Sequence, residues 1–87
     1  MSNQGLNVMA TPNPFRTNVT LTVEGSVKTK LNVGVIDQTG RTVRQFNLVK
    51  SDVMLRETLS LGDLAPGVYF LKVTGDNVNI TQRIIKQ

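Results

Sequence analysis

The side chains that could do chemistry in this 87-residue chain are few. Histidine and cysteine are absent, which excludes disulfides and the Cys and His routes to metal binding or nucleophilic catalysis. The carboxylates are Glu24, Asp37, Asp52, Glu57, Asp63 and Asp76. All except Glu57 lie in predicted turns, where a carboxylate typically hydrogen-bonds its own backbone. The sequence therefore predicts no enzyme activity, no metal site and no cofactor.

The single tyrosine, Tyr69, follows a corner that runs from Leu64 through Ala65 and Pro66 to Gly67. In Greek-key sandwiches a tyrosine at such a corner hydrogen-bonds to upstream backbone and stabilises the crossover between sheets. A catalytic tyrosine would need a charged partner, and the spacing of the chain indicates none. We therefore interpret Tyr69 as a structural residue.

The net charge of +4 comes from ten Lys and Arg residues that are scattered singly along the chain. Nucleic-acid binders usually concentrate basic residues on a stripe with stacking rings, so a solvated basic surface is the better interpretation. Tryptophan is absent and there are only four aromatic residues, which argues against a carbohydrate-binding module.

The chain contains no apolar run near the ~20 residues of a membrane span. Residues 1–5 have neither the charge nor the apolar stretch of a signal peptide. Two interpretations stay open: a cytoplasmic domain, or a domain cut from a longer exported chain.

Apolar and polar residues alternate along most of the chain, as in half-buried strands. About seven such runs occur at the spacing of a β-sandwich or small barrel. Val43 is out of phase with Phe46 and Leu48, which predicts a bulge. The run from Val68 to Val73 is apolar on both parities, which predicts a central strand covered on both sides. We predict an all-β, immunoglobulin-like antiparallel β-sandwich of Greek-key type, with a small barrel as the alternative.

The run Pro12-Asn13-Pro14-Phe15 is unusual in a strand-rich chain. Proline fixes φ and lacks a backbone donor, and it holds the preceding residue extended. The run therefore ends one strand and redirects the chain. A loop has no general need for a large apolar ring, so we expect Phe15 to lie at the edge of the core.

Three motifs follow one another along the chain: Pro12-Asn13-Pro14-Phe15, then Asp37-x-x-Gly40-Arg41-x-Val43, then Leu64-x-x-Gly67-Val68-Tyr69-Phe70-Leu71-Lys72-Val73 followed by Gln82-Arg83-Ile84-Ile85-Lys86. Together and in this order they resemble the C-terminal sorting domains of the type IX (Por) secretion system of Bacteroidetes, type A. The resemblance covers about residues 6–87 and leaves residues 1–5 as a linker or vector-derived tail. Ile36 stands where many members have an aromatic residue, and Gln87 follows the usual terminal basic residue.

The resemblance implies a C-terminal secretion signal without enzyme activity. An upstream cargo domain would reach the periplasm by its own signal, and the outer-membrane type IX translocon would then bind the folded sorting domain. A sortase-like peptidase would remove the domain near its N-terminus, leaving the cargo at the cell surface or outside the cell. We also expect a monomer that binds no nucleic acid and does not insert into the membrane, with an edge-to-edge dimer through the last strand as the alternative state.

The resemblance also makes the last strand the candidate for translocon recognition. The candidate residues are Val78, Ile80, Arg83, Ile84, Ile85, Lys86 and Gln87. The strand is either an ordinary edge strand or an edge offered to a receptor for β-augmentation. Pro12 to Phe15 form either a rigid beginning of the fold, which would help a peptidase that cuts upstream, or a direct translocon contact.

An immunoglobulin- or fibronectin-like adhesion or spacer module is the competing hypothesis, and a carbohydrate-binding accessory domain comes third. The spacer hypothesis explains the strands and the tyrosine corner equally well. It explains neither the Pro-Asn-Pro-Phe run nor a sequence that stops directly after Arg83 to Gln87.

Overall fold

A computed structural model describes residues 6–76 and 78–87 of the chain, so residues 1–5, the expected linker or tail, lie outside the described residues. The fold contains seven strands: β1 (Asn7–Thr11), β2 (Asn18–Glu24), β3 (Thr29–Ile36), β4 (Thr42–Lys50), β5 (Met54–Ser60), β6 (Gly67–Gly75) and β7 (Val78–Lys86). The described residues include no helix that is long and apolar enough to cross a membrane.

The strands form two antiparallel sheets that pack face to face. Sheet A has the order β1-β2-β5, and sheet B has the order β4-β3-β6-β7. The chain changes sheet between β2 and β3, between β4 and β5, and between β5 and β6, which is a Greek-key connection pattern of the immunoglobulin kind. The predicted seven-stranded sandwich is confirmed, and the barrel alternative is wrong because the strands form two separate sheets.

The core lies between the two sheets and follows the predicted alternation. In β2 the buried residues are Val19, Leu21 and Val23, and in β3 they are Leu31, Val33 and Val35. Complete burial of such a side chain stabilises the fold by about 1.5–3 kcal/mol. A domain of this size buries only about 60–65% of the surface that its unfolded chain exposes, so its stability depends on these few contacts.

The predicted bulge is present at Val43. Val35 of β3 pairs with Arg44, whereas the next residue, Ile36, pairs with Thr42. Val43 is therefore the extra residue on β4, and it returns Phe46 and Leu48 to the inward parity.

Strand β6 is central in sheet B, between β3 and β7, as its apolar composition predicts. Tyr69, Leu71 and Val73 are buried in the core. Val68 and Phe70 point to the other face and are half-buried, so the expected covering on both sides is wrong. The physical reason is that a two-layer sandwich covers only one face of each sheet.

Candidate recognition region at the last strand

The segment Pro12 to Phe15 lies in the connection between β1 and β2. The peptide bonds Thr11–Pro12 and Asn13–Pro14 are cis, and the chain leaves sheet A here to run beside β7 at the edge of sheet B. The prediction that this run ends a strand and redirects the chain is confirmed. The expectation that Pro12 to Phe15 form the beginning of the fold is wrong, because β1 precedes this segment in the chain.

Four hydrogen bonds join this segment to the end of β7, and we call them the clamp. Asn13 Nδ2 donates to the Arg83 carbonyl at 2.9 Å, and the Ile85 N–H donates to Asn13 Oδ1 at 3.0 Å. The Phe15 N–H donates to the Ile85 carbonyl at 2.8 Å, and the Gln87 N–H donates to the Phe15 carbonyl at 2.9 Å. The clamp therefore ties together residues that are about 70 positions apart.

The residue types of the segment explain the clamp. Pro12 and Pro14 have no N–H, so Asn13 and Phe15 must supply the donors of this short stretch. The Asn13 amide carries both a donor and an acceptor and so bonds β7 as a strand residue would. Phe15 forms a parallel bridge with Lys86 and is only 1% exposed. The expected burial of Phe15 is confirmed.

The seven candidate recognition residues, six in β7 and Gln87 directly after it, divide into an inward-facing set and an outward-facing set. Val78 and Ile84 are buried in the core, and Lys86 is buried with its Nζ donating to the Gln87 carbonyl at 2.9 Å. Ile80 is half-buried and also packs against the core. The other members differ: Arg83 and Gln87 are exposed, and Ile85 is half-buried.

The free edge of β7 is shorter than the strand. Strand β6 pairs with β7 along its whole length on one side. On the other side the clamp occupies the peptide groups of Arg83, Ile85 and Gln87. Peptide groups two residues apart point to the same side of a strand, so those of Thr81 face this same edge, where no described strand pairs. A strand from another protein could therefore pair with the edge of β7 around Thr81.

The middle motif forms a hydrogen-bonded turn. Asp37 Oδ1 accepts from the Thr39 N–H at 2.9 Å, the Thr39 hydroxyl at 2.6 Å and the Arg41 N–H at 3.1 Å. These bonds, the Thr39 hydroxyl foremost, hold the pKa of the Asp37 carboxyl below its ordinary value of 3.8. Gly40 has φ +90°, which a residue with a side chain rarely adopts. The turn prediction is confirmed.

The third motif contains the tyrosine corner. The Tyr69 hydroxyl donates to the Ala65 carbonyl at 2.6 Å, which confirms the predicted bond to upstream backbone. Leu64 packs against the core, and the neighbouring Asp63 forms an ion pair with Arg44 of β4. These contacts tie the β5–β6 crossover to sheet B, so this part of the motif stabilises the sandwich.

Lys50 is a structural residue that the sequence interpretation missed. Its side chain is 1% exposed, and Nζ donates to the carbonyls of Gly25, Val27 (2.9 Å) and Asp52 (2.6 Å). Lys50 has the parity of Phe46 and Leu48, so it continues the inward face of β4. That parity is the signal that could have identified it as a buried lysine.

The fold and these contacts define a small two-layer, immunoglobulin-like module. The residues of its three sequence motifs make contacts that stabilise the fold. A protein-family model described as "Secretion system C-terminal sorting domain" matches residues 10–87. The chain therefore belongs to this family, the C-terminal sorting domains of type IX secretion. Searches of the curated proteins and of the solved structures found no match.

Membership in the family establishes the general role of the domain. It is a sorting signal of type IX secretion, a signal module that directs export to the cell surface or the extracellular space. The adhesion or spacer hypothesis is not favoured by this match. Within residues 6–76 and 78–87, no three His, Cys, Asp or Glu side chains are grouped so that they could hold a metal ion.

Proposed function

We propose that this domain is bound in its folded form by the outer-membrane type IX translocon, acts without catalysis of its own, and is then removed from its upstream cargo by a sortase-like peptidase. The observation that carries the proposal is the family match over residues 10–87. The compact sandwich supports it, because the three motifs of the family lie on contacts that stabilise one folded unit.

The recognition part of the proposal concerns the clamped end of β7. Arg83 and Gln87 are exposed and Ile85 is half-buried, so these side chains are accessible to a translocon protein. Of the other candidates, Val78 and Ile84 act indirectly, because their burial holds β7 against the core. Ile80 and Lys86 have the same supporting role.

The clamp brings a second candidate contact to the same place. Pro12, Asn13 and Pro14 are exposed on the outside of the clamp, beside Arg83 and Ile85. A translocon protein that contacts the end of β7 would therefore meet these residues too. This arrangement supports two roles for the segment, as a rigid element that holds the end of β7 and as a direct translocon contact.

The proposed peptidase cut lies upstream of Leu6. Leu6 is 8% exposed and belongs to the core, and β1 begins at the next residue. A peptidase needs an accessible, extended backbone, which the chain from Leu6 onward does not offer because it is packed and paired. Residues 1–5 thus remain the proposed linker.

A reporter experiment tests the proposal. A periplasm-targeted fluorescent protein is placed before residues 1–87 and expressed in a host with a working type IX system and in its translocon-deficient mutant. We expect surface or extracellular fluorescence in the working host alone, and an uncleaved fusion when the sortase-like peptidase is deleted. Reporter held in the periplasm of both hosts, with the domain folded, would favour a spacer module.

Truncation of residues 78–87 is a poor second test of recognition. It removes Val78 and Ile84 from the core together with all four bonds of the clamp, so loss of export would also follow from unfolding. Substitution of exposed side chains separates recognition from stability.

A further inference from the structure

The outer face of sheet B has a one-sided charge. The strands of this sheet, β3, β4, β6 and β7, contain six of the ten Lys and Arg residues and no Asp or Glu. Three of the six cations are accounted for: Arg44 pairs with Asp63, and Lys50 and Lys86 are buried against backbone carbonyls. The other three are Lys30, Lys72 and Arg83.

Lys30, Lys72 and Arg83 lie on the same face. Their parity is opposite to that of the buried residues of β3, β6 and β7, and all three are exposed. No ion pair holds any of them within the part of the chain that the structure describes. Outer-face positions of sheet A differ, because they include Glu24 as well as Arg56.

Half-buried apolar side chains accompany these cations. Phe70 lies directly opposite Arg83, and Val68 lies opposite Ile85. All three apolar residues are half-buried, and no second layer built from the described residues covers them. An aromatic ring and an arginine beside aliphatic groups, with polar residues around them, is the composition of many protein–protein interfaces.

Gly34 provides a hollow in this face. It is directly opposite Lys72, and a Cβ added there would meet only Thr42 Cγ2, at 4.0 Å. The fold therefore does not require glycine at this position, although glycine weakens a strand interior. The missing side chain helps form a depression of about 260 Å³ beside Lys72. Glycine within a strand often marks a site where another molecule approaches closely.

We propose that the outer face of sheet B, defined by Lys30, Gly34, Phe70, Lys72, Arg83 and Ile85, docks onto an acidic surface of a protein of the export machinery. The inference rests on the proposed function and names the partner's chemistry. The cations have no ion-pair partner among the described residues, and the hollow beside Lys72 accommodates a protruding carboxylate side chain. A protein fits better than a lipid surface, because a protein side chain can protrude into the hollow beside Lys72.

Matched substitutions in the reporter fusion test the proposal. Lys72→Glu and Arg83→Glu reverse one charge each on the docking face, and Arg56→Glu makes the same change on the outer face of sheet A. Gly34→Gln places a side chain in the hollow, where its Cβ would have Thr42 Cγ2 as its nearest neighbour at 4.0 Å. We expect at least about tenfold less exported reporter for the three docking-face changes (K72E, R83E, G34Q) and near-normal export for R56E. The urea unfolding midpoints should not fall in any of these variants, and the midpoint of G34Q should stay equal or rise because glycine weakens a strand interior.

Each result has a defined meaning. If the wild-type reporter is exported and the docking-face variants are exported as well as R56E, this inference is wrong and the proposed function stands. Wild-type reporter that is not exported overturns the proposed function and this inference together. If a charge reversal unfolds the domain, Lys72→Ala and Arg83→Ala replace it, and we expect the same direction of effect.

A vesicle assay separates the lipid alternative. The purified domain is sedimented with phosphatidylcholine vesicles that contain phosphatidylglycerol. Binding that is lost in K72E and R83E, combined with normal export of both variants, would assign the face to anionic lipid and overturn the protein-docking proposal. We expect no difference in sedimentation between these variants and R56E.

Discussion

Asn13 supplies both side-chain hydrogen bonds of the clamp, so we predict that Asn13→Ala destabilises the domain. The substitution removes the bond from Nδ2 to the Arg83 carbonyl (2.9 Å) and the bond from the Ile85 N–H to Oδ1 (3.0 Å). A typical hydrogen bond contributes about 0.5–1.5 kcal/mol. Water can reach both freed groups at this exposed edge, so we expect a total loss of about 1–2 kcal/mol.

Two measurements check this prediction. Urea unfolding should show a lower midpoint with an unchanged slope, and each kcal/mol should lower the Tm by about 4–8 °C in a domain of this size. Amide hydrogen exchange gives a local readout, because the Ile85 N–H donates to the Asn13 side chain. In the variant this amide should exchange faster by a larger factor than amides in β2 and β3.

Two further variants serve as controls. Asn18→Ala changes another exposed asparagine, whose side chain makes no hydrogen bond within the described residues, so the change in stability should stay within about 0.5 kcal/mol. Asn13→Asp keeps the acceptor for the Ile85 N–H but loses the donor to the Arg83 carbonyl, so Ile85 should remain protected. Equal unfolding midpoints for N13A and N18A, with unchanged exchange at Ile85, would refute the reasoning.

Three other substitutions test the remaining structural elements. Lys50→Met removes the donor shared by three carbonyls in a buried site, and urea unfolding should show a loss of about 3 kcal/mol, against little change for the exposed Lys28→Met. Tyr69→Phe deletes the bond to the Ala65 carbonyl and should cost about 1 kcal/mol in the same assay; no loss would contradict the structural role of the corner. The pKa of Asp37 is lowered by folding, so its stabilisation is complete above the unfolded pKa and is lost as the pH falls through the folded pKa. Thermal unfolding between about pH 2 and pH 6 should therefore depend less on pH in Asp37→Asn than in the wild type.

The clamp couples the first motif of the sorting domain to its last strand. The first motif and the last strand lie far apart in sequence, yet they share hydrogen bonds and one exposed surface. We therefore expect a substitution in Pro12 to Phe15 to alter the presentation of Arg83 and Ile85 as well. Export defects from either end need the stability measurement above before they are assigned to recognition.

The local pattern of the sequence was sufficient to predict the strands and turns. Side-chain alternation depends on neighbours in the chain, so Val19, Leu21 and Val23 could be assigned to the core without knowledge of any partner strand. The bulge at Val43 and the turn that begins at Asp37 were predicted for the same reason. The motifs, taken together, were also sufficient for the family.

Contacts between distant residues were decided only by the tertiary structure. Alternation indicates which side chains share a face of one strand, but it does not tell which strands become neighbours or in what register. The bonds of Asn13 to β7 and of Lys50 to the Gly25 carbonyl span long stretches of chain and leave no local signal. Lys72 and Arg83 look scattered in the sequence, and only the pairing of β6 with β7 places them on one face.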